Sequence, residues 1–454
     1  MMTRIGIRSR FHFVLLFIVL LQTSCSSPVP PPPPPVGTDD NGRTTETLKT
    51  PIKSNTTLKS DIIYILDKPV TVENGATLTI EAGTLIKGSF NNTTKTRGAL
   101  IIKPGAKIIA EGSVDKPIIF TSNKPKGQRA KGDWAGILIL GNAPVNSITN
   151  ENLTPARTTF GGTNSADNSG ILKYVRIEFA GGIDAQTAVS PTKWNALTLA
   201  GVGSGTQISH VQITDCDDDA FEFIGGTVNC KYLYSLRNRL IDFKTSFGYS
   251  GIVQYAYSHK GNVSPSASAI CLQSENDYAG SYNTPITTPT FINCTFVGFN
   301  TNVNLSYAVH LKNNTRLALL NSVIIGHNHS LFLDGPETAS NAGAGMLEVQ
   351  GCVVSNWKKD SLITNASFNI ENWYKKLDYN NLLIKNLEDL GLPDIYASQP
   401  IPLPSDNSPL KSATNIQSLR LVNSLIENAN YRGAFHTVDW TQGWTDFSPN
   451  DLEY

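Results

Sequence analysis

Leu197 to Asn229 reads LTLAGVGSGTQISHVQITDCDDDAFEFIGGTVN. Leu197 and Leu199 open a strand-like run that meets a glycine-rich turn at Gly201, Gly203 and Gly205. A second alternating run carries Ile208, Val211 and Ile213. An acidic corner, Asp215-Cys216-Asp217-Asp218-Asp219, leads to a third run, Phe221-Glu222-Phe223-Ile224, closed by Gly225-Gly226. Three short strands with sharp corners inside about thirty residues make one coil of a solenoid and leave no room for a helix.

The same grammar extends in both directions. Towards the N-terminus, Glu73-Asn74-Gly75-Ala76-Thr77-Leu78 is echoed by Glu81-Ala82-Gly83-Thr84-Leu85-Ile86 and Lys103-Pro104-Gly105-Ala106-Lys107-Ile108. Each sets a glycine at a corner and then an alternating run that buries every second side chain. Ile118-Ile119-Phe120-Thr121 and Ile137-Leu138-Ile139-Leu140 continue the series. Cys294-Thr295-Phe296-Val297, Ser322-Val323-Ile324-Ile325 and Cys352-Val353-Val354 extend it beyond the opening stretch. Parallel strands joined by corners, with no helices between them, exclude a doubly wound sheet and predict an all-β fold, a single-stranded parallel β-helix. Helical spacing of Ile370, Trp373, Tyr374, Leu377, Ile384 and Leu387 predicts a small helical insertion over about 367–392. Ile401 to Pro409 reads as a proline-rich loop and Leu421 to Ile426 as a last strand, with the β-helix spanning 51–447 and a tail at 448–454.

The runs LTIEAGTLIKG, KPIIFTS, GDWAGILILGNAPVN, LTLAGVGSGTQISHVQI, DDAFEFIGGTVNCKYL and YRGAF…WTQGWTDF resemble a family of secreted or lipid-anchored, right-handed parallel β-helix proteins of Gram-negative bacteria. The resemblance covers about residue 60 to 447 and implies a pectate-lyase-like fold, a right-handed coil and no agreed activity.

The chain opens with Arg4, Arg8 and Arg10 before an apolar run, Phe11 to Leu21, that is too short to span a bilayer as a helix. Leu21-Gln22-Thr23-Ser24-Cys25 resembles the signal of bacterial lipoproteins, in which the cysteine becomes the acylated N-terminus. The expectation is a signal over 1–24, lipidation at Cys25, and a tether over 25–50 built on Pro28 to Pro35, which forms a stiff polyproline spacer. That implies a membrane partner through the anchor and a cell-envelope, outer-membrane location, periplasmic or surface-facing. The 454 residues hold 37 basic and 37 acidic side chains, and loss of the three leader arginines leaves a net charge of −3. Such a balance is no footprint for nucleic acid. Five cysteines remain beyond Cys25, at Cys216, Cys230, Cys271, Cys294 and Cys352. Inward-facing free thiols are expected over a disulfide, with Cys271 and Cys294 stacked one coil apart; without a CxxC, zinc and redox motifs are unsupported.

Spacings of 20 and 23 residues stack Ile213, Leu233 and Ala256 in the middle coils. Asp217 then falls beside Arg237 and Lys260, Asp219 beside Arg239, Glu222 beside Asp242, and Thr214 beside Tyr234 and Tyr257. Asp215, Asp217, Asp218, Asp219 and Glu222 are hard oxygen ligands of the kind calcium takes, so calcium is the one cofactor considered. Paired carboxylates also act as acid and base on glycosidic bonds. The chain lacks the Gly-His-Gly of polygalacturonases, Gly326-His327-Asn328 being the nearest piece, and a ladder of carboxylates against Arg237 and Arg239 is the simpler reading. His327-Asn328-His329 reads as a solvated corner.

Alternation places Tyr232, Tyr234, Tyr255 and Tyr257 on the outer face of two strands. Beside Arg237 and Lys260 they predict a platform for an anionic glycan; the competing expectation packs Tyr232 and Tyr255 beneath the helical insertion near Trp373. Two functions stand. One is a lipid-anchored, non-enzymatic surface protein that binds a polysaccharide or a partner protein, and the other is an anchored polysaccharide lyase or glycoside hydrolase.

Overall fold

The computed structural model describes residues 36–38, 42–147, 150–184, 192–261, 269–298, 307–393, 395–400, 402–412 and 414–454. Cys25, the leader and most of the tether lie outside the described residues. Among those described, no helix is long and apolar enough to cross a membrane.

The chain coils as a parallel β-helix. One wall is a ten-stranded, wholly parallel sheet whose successive strands include Leu197–Ala200, Phe221–Ile224, Ile241–Ser246, Ile270–Ser274, Tyr307–Leu311 and His329–Leu333. Register stacks Leu197, Phe221, Phe243, Leu272, Val309 and Leu331 in one column. All are buried, because period-two alternation turns every second residue into the lumen and neighbouring coils repeat the choice. Their neighbours in sequence form a second column, Thr198, Glu222, Lys244, Gln273, His310 and Phe332, on the opposite face.

The other walls belong to one nineteen-stranded sheet in which most coils contribute two legs. In Gly170–Glu178, Gln207–Thr214, Asn229–Leu236 and Ile252–His259 the legs meet at a single residue in left-handed conformation: Tyr174, His210, Tyr232 and Tyr255, with φ of 52°, 53°, 58° and 62°. The pairing skips each of these residues. Asn293 and Asn321 hold the same conformation farther along, as asparagine does readily.

The structure shortens the expected helical insertion. It is one helix, Ile370–Tyr374, a 3-10 turn at Leu377–Tyr379 and another at Glu388–Leu390, because Leu382–Ile384 returns to the solenoid and pairs with Val353–Ser355. A second helix, Pro336–Gly343, was not legible. Leu421 to Ile426 is no strand. A 3-10 turn occupies Leu419–Leu421, while Ile416, Leu421 and Ile426 pack on Ile252, Ile292, Ala318 and Leu320 as a cover. At the other end Thr44–Thr47 already pairs with Ile63–Leu66, inside the stretch read as tether.

Past Ile384 the chain forms a strap along the outside of the nineteen-stranded sheet, back towards the first coils. Pro400 accepts from Tyr257, Ala434 N–H donates to Thr295 Oγ1, and Asp446 N–H donates to Gln212. Tyr454 Oη donates to Glu178, and Lys87 donates to the Tyr454 carbonyl. Residues 448–454 are therefore packed and not a loose tail.

Candidate functional site

The acidic corner is divided between two openings. Residue spacing predicts Ile213 on Leu233. The structure pairs Val211 with Leu233, which pairs with Ala256, and sets Ile213 beside Ser235 and Ser258. The slip of two keeps the apolar side chains of these strands on their predicted face but changes each ion-pair partner. Alternation fixes faces, and it does not count the residues a corner consumes. Thr214 lies beside Leu236, and Glu222 lies beside Lys244, not Asp242.

On one side of the corner, Asp215 Oδ2 sits 2.7 Å from Arg237 Nη2 and Oδ1 sits 2.9 Å from Lys131 Nζ. Burial pushes this carboxyl up, but Lys131 and Arg237 outweigh burial and hold it below its ordinary value. Asp217 pairs with Arg239 at 2.8 Å, in place of the expected Arg237 and Lys260. The ladder thus exists, two residues out of the predicted register. Lys260 is fully buried against Asp242 at 3.0 Å and donates to the Leu240 carbonyl at 2.5 Å, so it offers nothing to a ligand.

Tyr232, Tyr234, Tyr255 and Tyr257 do project from the lumen, and they stack as predicted. Centroids are 4.9 Å apart for Tyr232–Tyr255 and 4.8 Å for Tyr234–Tyr257. They are not an exposed platform. The strap covers them: Phe447 meets Tyr234 edge-on, Phe435 meets Tyr257, and Trp440 meets Tyr232. Trp373 is not the cover; it packs on Phe368 and Tyr379. A strap without strand periodicity gave no signal that it would return over this face.

The five cysteines beyond Cys25 are free and buried. Cys271 and Cys294 do not stack, because Cys271 lies in the ten-stranded sheet and Cys294 beside strands of the other. Burial pushes the Cys271 thiol up to about 12, which leaves no reactive thiolate. His327 is buried, not solvated; its Nε2 is 3.3 Å from Cys271 Sγ, and burial drops it to about 3. The Gly201–Gly205 turn is a close-packed corner, since a Cβ on Gly203 would stand 2.4 Å from the Asp167 amide nitrogen.

The remaining acids, Asp218, Asp219 and Glu222, line a groove of about 490 Å³ on the outside of the ten-stranded sheet. Lys244, one coil along, bridges Glu222 at 2.8 Å and Asp219 at 3.4 Å. Burial opposes the Lys244 charge, but Glu222 and Asp219 more than restore it. Asn195 donates to Glu222 at 2.5 Å. Asp218 is only 2% exposed; its Oδ1 accepts from Asp219 N–H, and Oδ2 has no partner among the described residues. Burial first, and Asp219 second, push its carboxyl up to about 7.

Gln273, His310, Tyr278 and Tyr307 extend the groove. Tyr278 is 65% exposed and stands edge-on to Phe247. Tyr307 leans on Phe332, which stacks on His310 at 4.9 Å. Among the described residues no group of three or more His, Cys, Asp or Glu side chains is arranged to hold a metal ion. The set Asp215, Asp217, Asp218, Asp219 and Glu222 does not converge, because the first two turn to Lys131, Arg237 and Arg239. Lys193, Lys244, Gln273, Tyr278 and His310 escaped sequence reasoning, because a site built across five coils shows only once the coils are in register.

The Dettilon tailspike protein gp208 is similar at 12% identity over 69% of this chain, with a TM-score of 0.22; the aligned part spans 62% of the tailspike. Among proteins of curated function none matches. The pectate-lyase-like beta helix domain matches residues 50–388, about three quarters of the chain, and its parallel coils are those described above. This protein belongs to that β-helix family.

Proposed function

We propose that the protein is a lipid-anchored, cell-envelope β-helix whose groove over Asp218, Lys244 and Tyr278 binds a polysaccharide without cleaving it. The carrying observation is the groove itself, an outward column of polar side chains on a rigid sheet, flanked by an exposed aromatic ring. Parallel coils lock that column in place, so little entropy is lost when a sugar chain lies along it. Aromatic rings stack on the apolar faces of sugars while amides and charges bond their hydroxyls. The face first read as the platform has its tyrosines under the strap and its cations in ion pairs, so the acidic polymer it suggested loses its support.

The test is binding of the purified chain to a glycan panel, compared with Tyr278→Ala and Gln273→Ala. Both variants should keep their stability and lose about tenfold or more in affinity for whatever the parent binds. No glycan bound, or variants that bind like the parent, would overturn the reading. A second reading, glycoside hydrolysis, is favoured by the proton that Asp218 holds near neutral pH, which suits a general acid. Release of reducing ends from a bound glycan, abolished in Asp218→Asn, would establish it; prolonged incubation with no product would retire it.

A further inference from the structure

Asp218 sets the groove apart from the other charged places in the molecule. Several other buried acids meet a cation. Asp242 has Lys260, Glu178 has Arg176, and Asp215 has Lys131 and Arg237. Asp218 is as buried as these, lines a groove, and leaves Oδ2 without a partner among the described residues. An unpaired buried carboxyl is costly, so folds keep few unless something arrives to meet them.

The charges around it point one way. Lys244 alone serves both Asp219 and Glu222. Arg239 is engaged by Asp217 at 2.8 Å. Lys193 stands exposed on the rim, where solvent screens its pull on Asp218. Burial holds His310 below its ordinary value, and with it the ring uncharged at neutral pH. Tyr278, on the same wall, is held above its ordinary value, first by desolvation of its hydroxyl, and stays neutral. Three carboxyl groups thus share the groove with one fully engaged lysine and one screened lysine.

We infer that the groove takes a glycan bearing protonated amino groups, with one ammonium seated on Asp218 Oδ2. An ammonium brings three donors and a single positive charge, which matches one unpartnered carboxylate oxygen beside a second carboxylate. A uronate would place its negative charge against Asp218, Asp219 and Glu222. A neutral sugar could bond the protonated acid but gains no ion pair. The carboxyl's upward shift to about 7 fits a group that gives up its proton when a cation arrives.

This inference rests on the glycan reading, and one experiment separates the two. Calorimetry on the full chain at pH 7 compares three tetrasaccharides: β-1,4-glucosamine, its fully N-acetylated form and cellotetraose. The amine form should bind at least about tenfold more tightly than either neutral form. Asp218→Asn should erase that preference, bringing the amine form to the affinity of the neutral forms. Should that variant unfold, the parent still decides. From pH 7 to pH 5 the carboxyl takes up its proton while the sugar amines gain theirs, so amine affinity should still drop about tenfold as neutral-sugar affinity holds. Equal affinity for the three forms, or an amine preference that survives in Asp218→Asn or at pH 5, overturns the inference and spares the glycan reading. Failure of all three forms, and of acidic glycans beside them, overturns both.

Discussion

Two tyrosines that stack in one column differ in whether the hydroxyl has a partner, so a conservative substitution at each should affect stability differently. Tyr234 and Tyr257 are fully buried between the nineteen-stranded sheet and the strap. Tyr257 donates to the Pro400 carbonyl at 2.9 Å, whereas the Tyr234 hydroxyl has no partner among the described residues. A buried polar group left unpaired costs about 1–3 kcal/mol. Tyr234→Phe removes that cost, so it should be neutral or should stabilise by about 1 kcal/mol. Tyr257→Phe loses a hydrogen bond and strands the Pro400 carbonyl, for a loss of about 1–2 kcal/mol. Alanine is harsher: truncating either buried ring costs about 3–5 kcal/mol. The double variant should cost less than the sum of the singles by about 0.5–1.5 kcal/mol, the worth of the stacked pair. Guanidinium unfolding followed by tryptophan fluorescence reads all of this, because Trp440 and Trp444 lie in the strap against the same face. Equal shifts for the two phenylalanine variants would show that the hydroxyls are not in different surroundings. A double alanine variant costing under about 1 kcal/mol would show that the strap does not cover the ladder.

Lys260→Met should cost about 3–5 kcal/mol, because it leaves Asp242 buried without its cation, and adding Asp242→Asn should recover most of the loss in the same unfolding assay. Asp218 favours its protonated form in the fold, so its contribution is present at low pH and is lost as pH rises from about 4 to about 7. Asp218→Asn should therefore match the parent at pH 4 and exceed it at pH 8 by up to about 4 kcal/mol; a gap that does not change with pH refutes this. Asp217→Ala breaks a half-exposed pair and should cost under about 1 kcal/mol, and a chelator should leave the melting temperature unchanged, whereas a fall restored by calcium would reveal a metal site. Cys25→Ala should move the protein out of the membrane fraction, and unchanged fractionation would dispose of the anchor.

Most of the coil was legible because alternation and corner glycines repeat within a few residues of each other. Phe221 and Phe223 turn inward and Glu222 outward by the same rule, and no neighbouring coil is needed to see it. What alternation cannot see is the number of residues that a corner absorbs. Tyr232, in left-handed conformation at the bend, belongs to neither leg of its strand, and Asp215 and Arg237 take the same conformation at the next corner. Spacing alone therefore sets Leu233 two places out, which leaves the apolar faces right and every ion-pair partner wrong.

The strap and the groove failed to appear for a related reason. A segment such as Ala434-Phe435 or Asp446-Phe447 carries no period, because it does not pair with its neighbours in sequence; it fills gaps that other residues leave. Its target is set by shape, and shape exists only after the coils stack. The tyrosines were rightly placed outside the lumen and wrongly taken for surface, since outside the lumen is not yet outside the protein. The groove inverts that case. Glu222, Lys244, Gln273 and His310 are spread over nearly ninety residues and look unrelated along the chain, yet parallel pairing sets them side by side. In a solenoid, faces are written within each coil, whereas sites and covers are written between coils. A search for binding in such a chain has to begin from columns of stacked positions, and then ask which columns the rest of the chain leaves open.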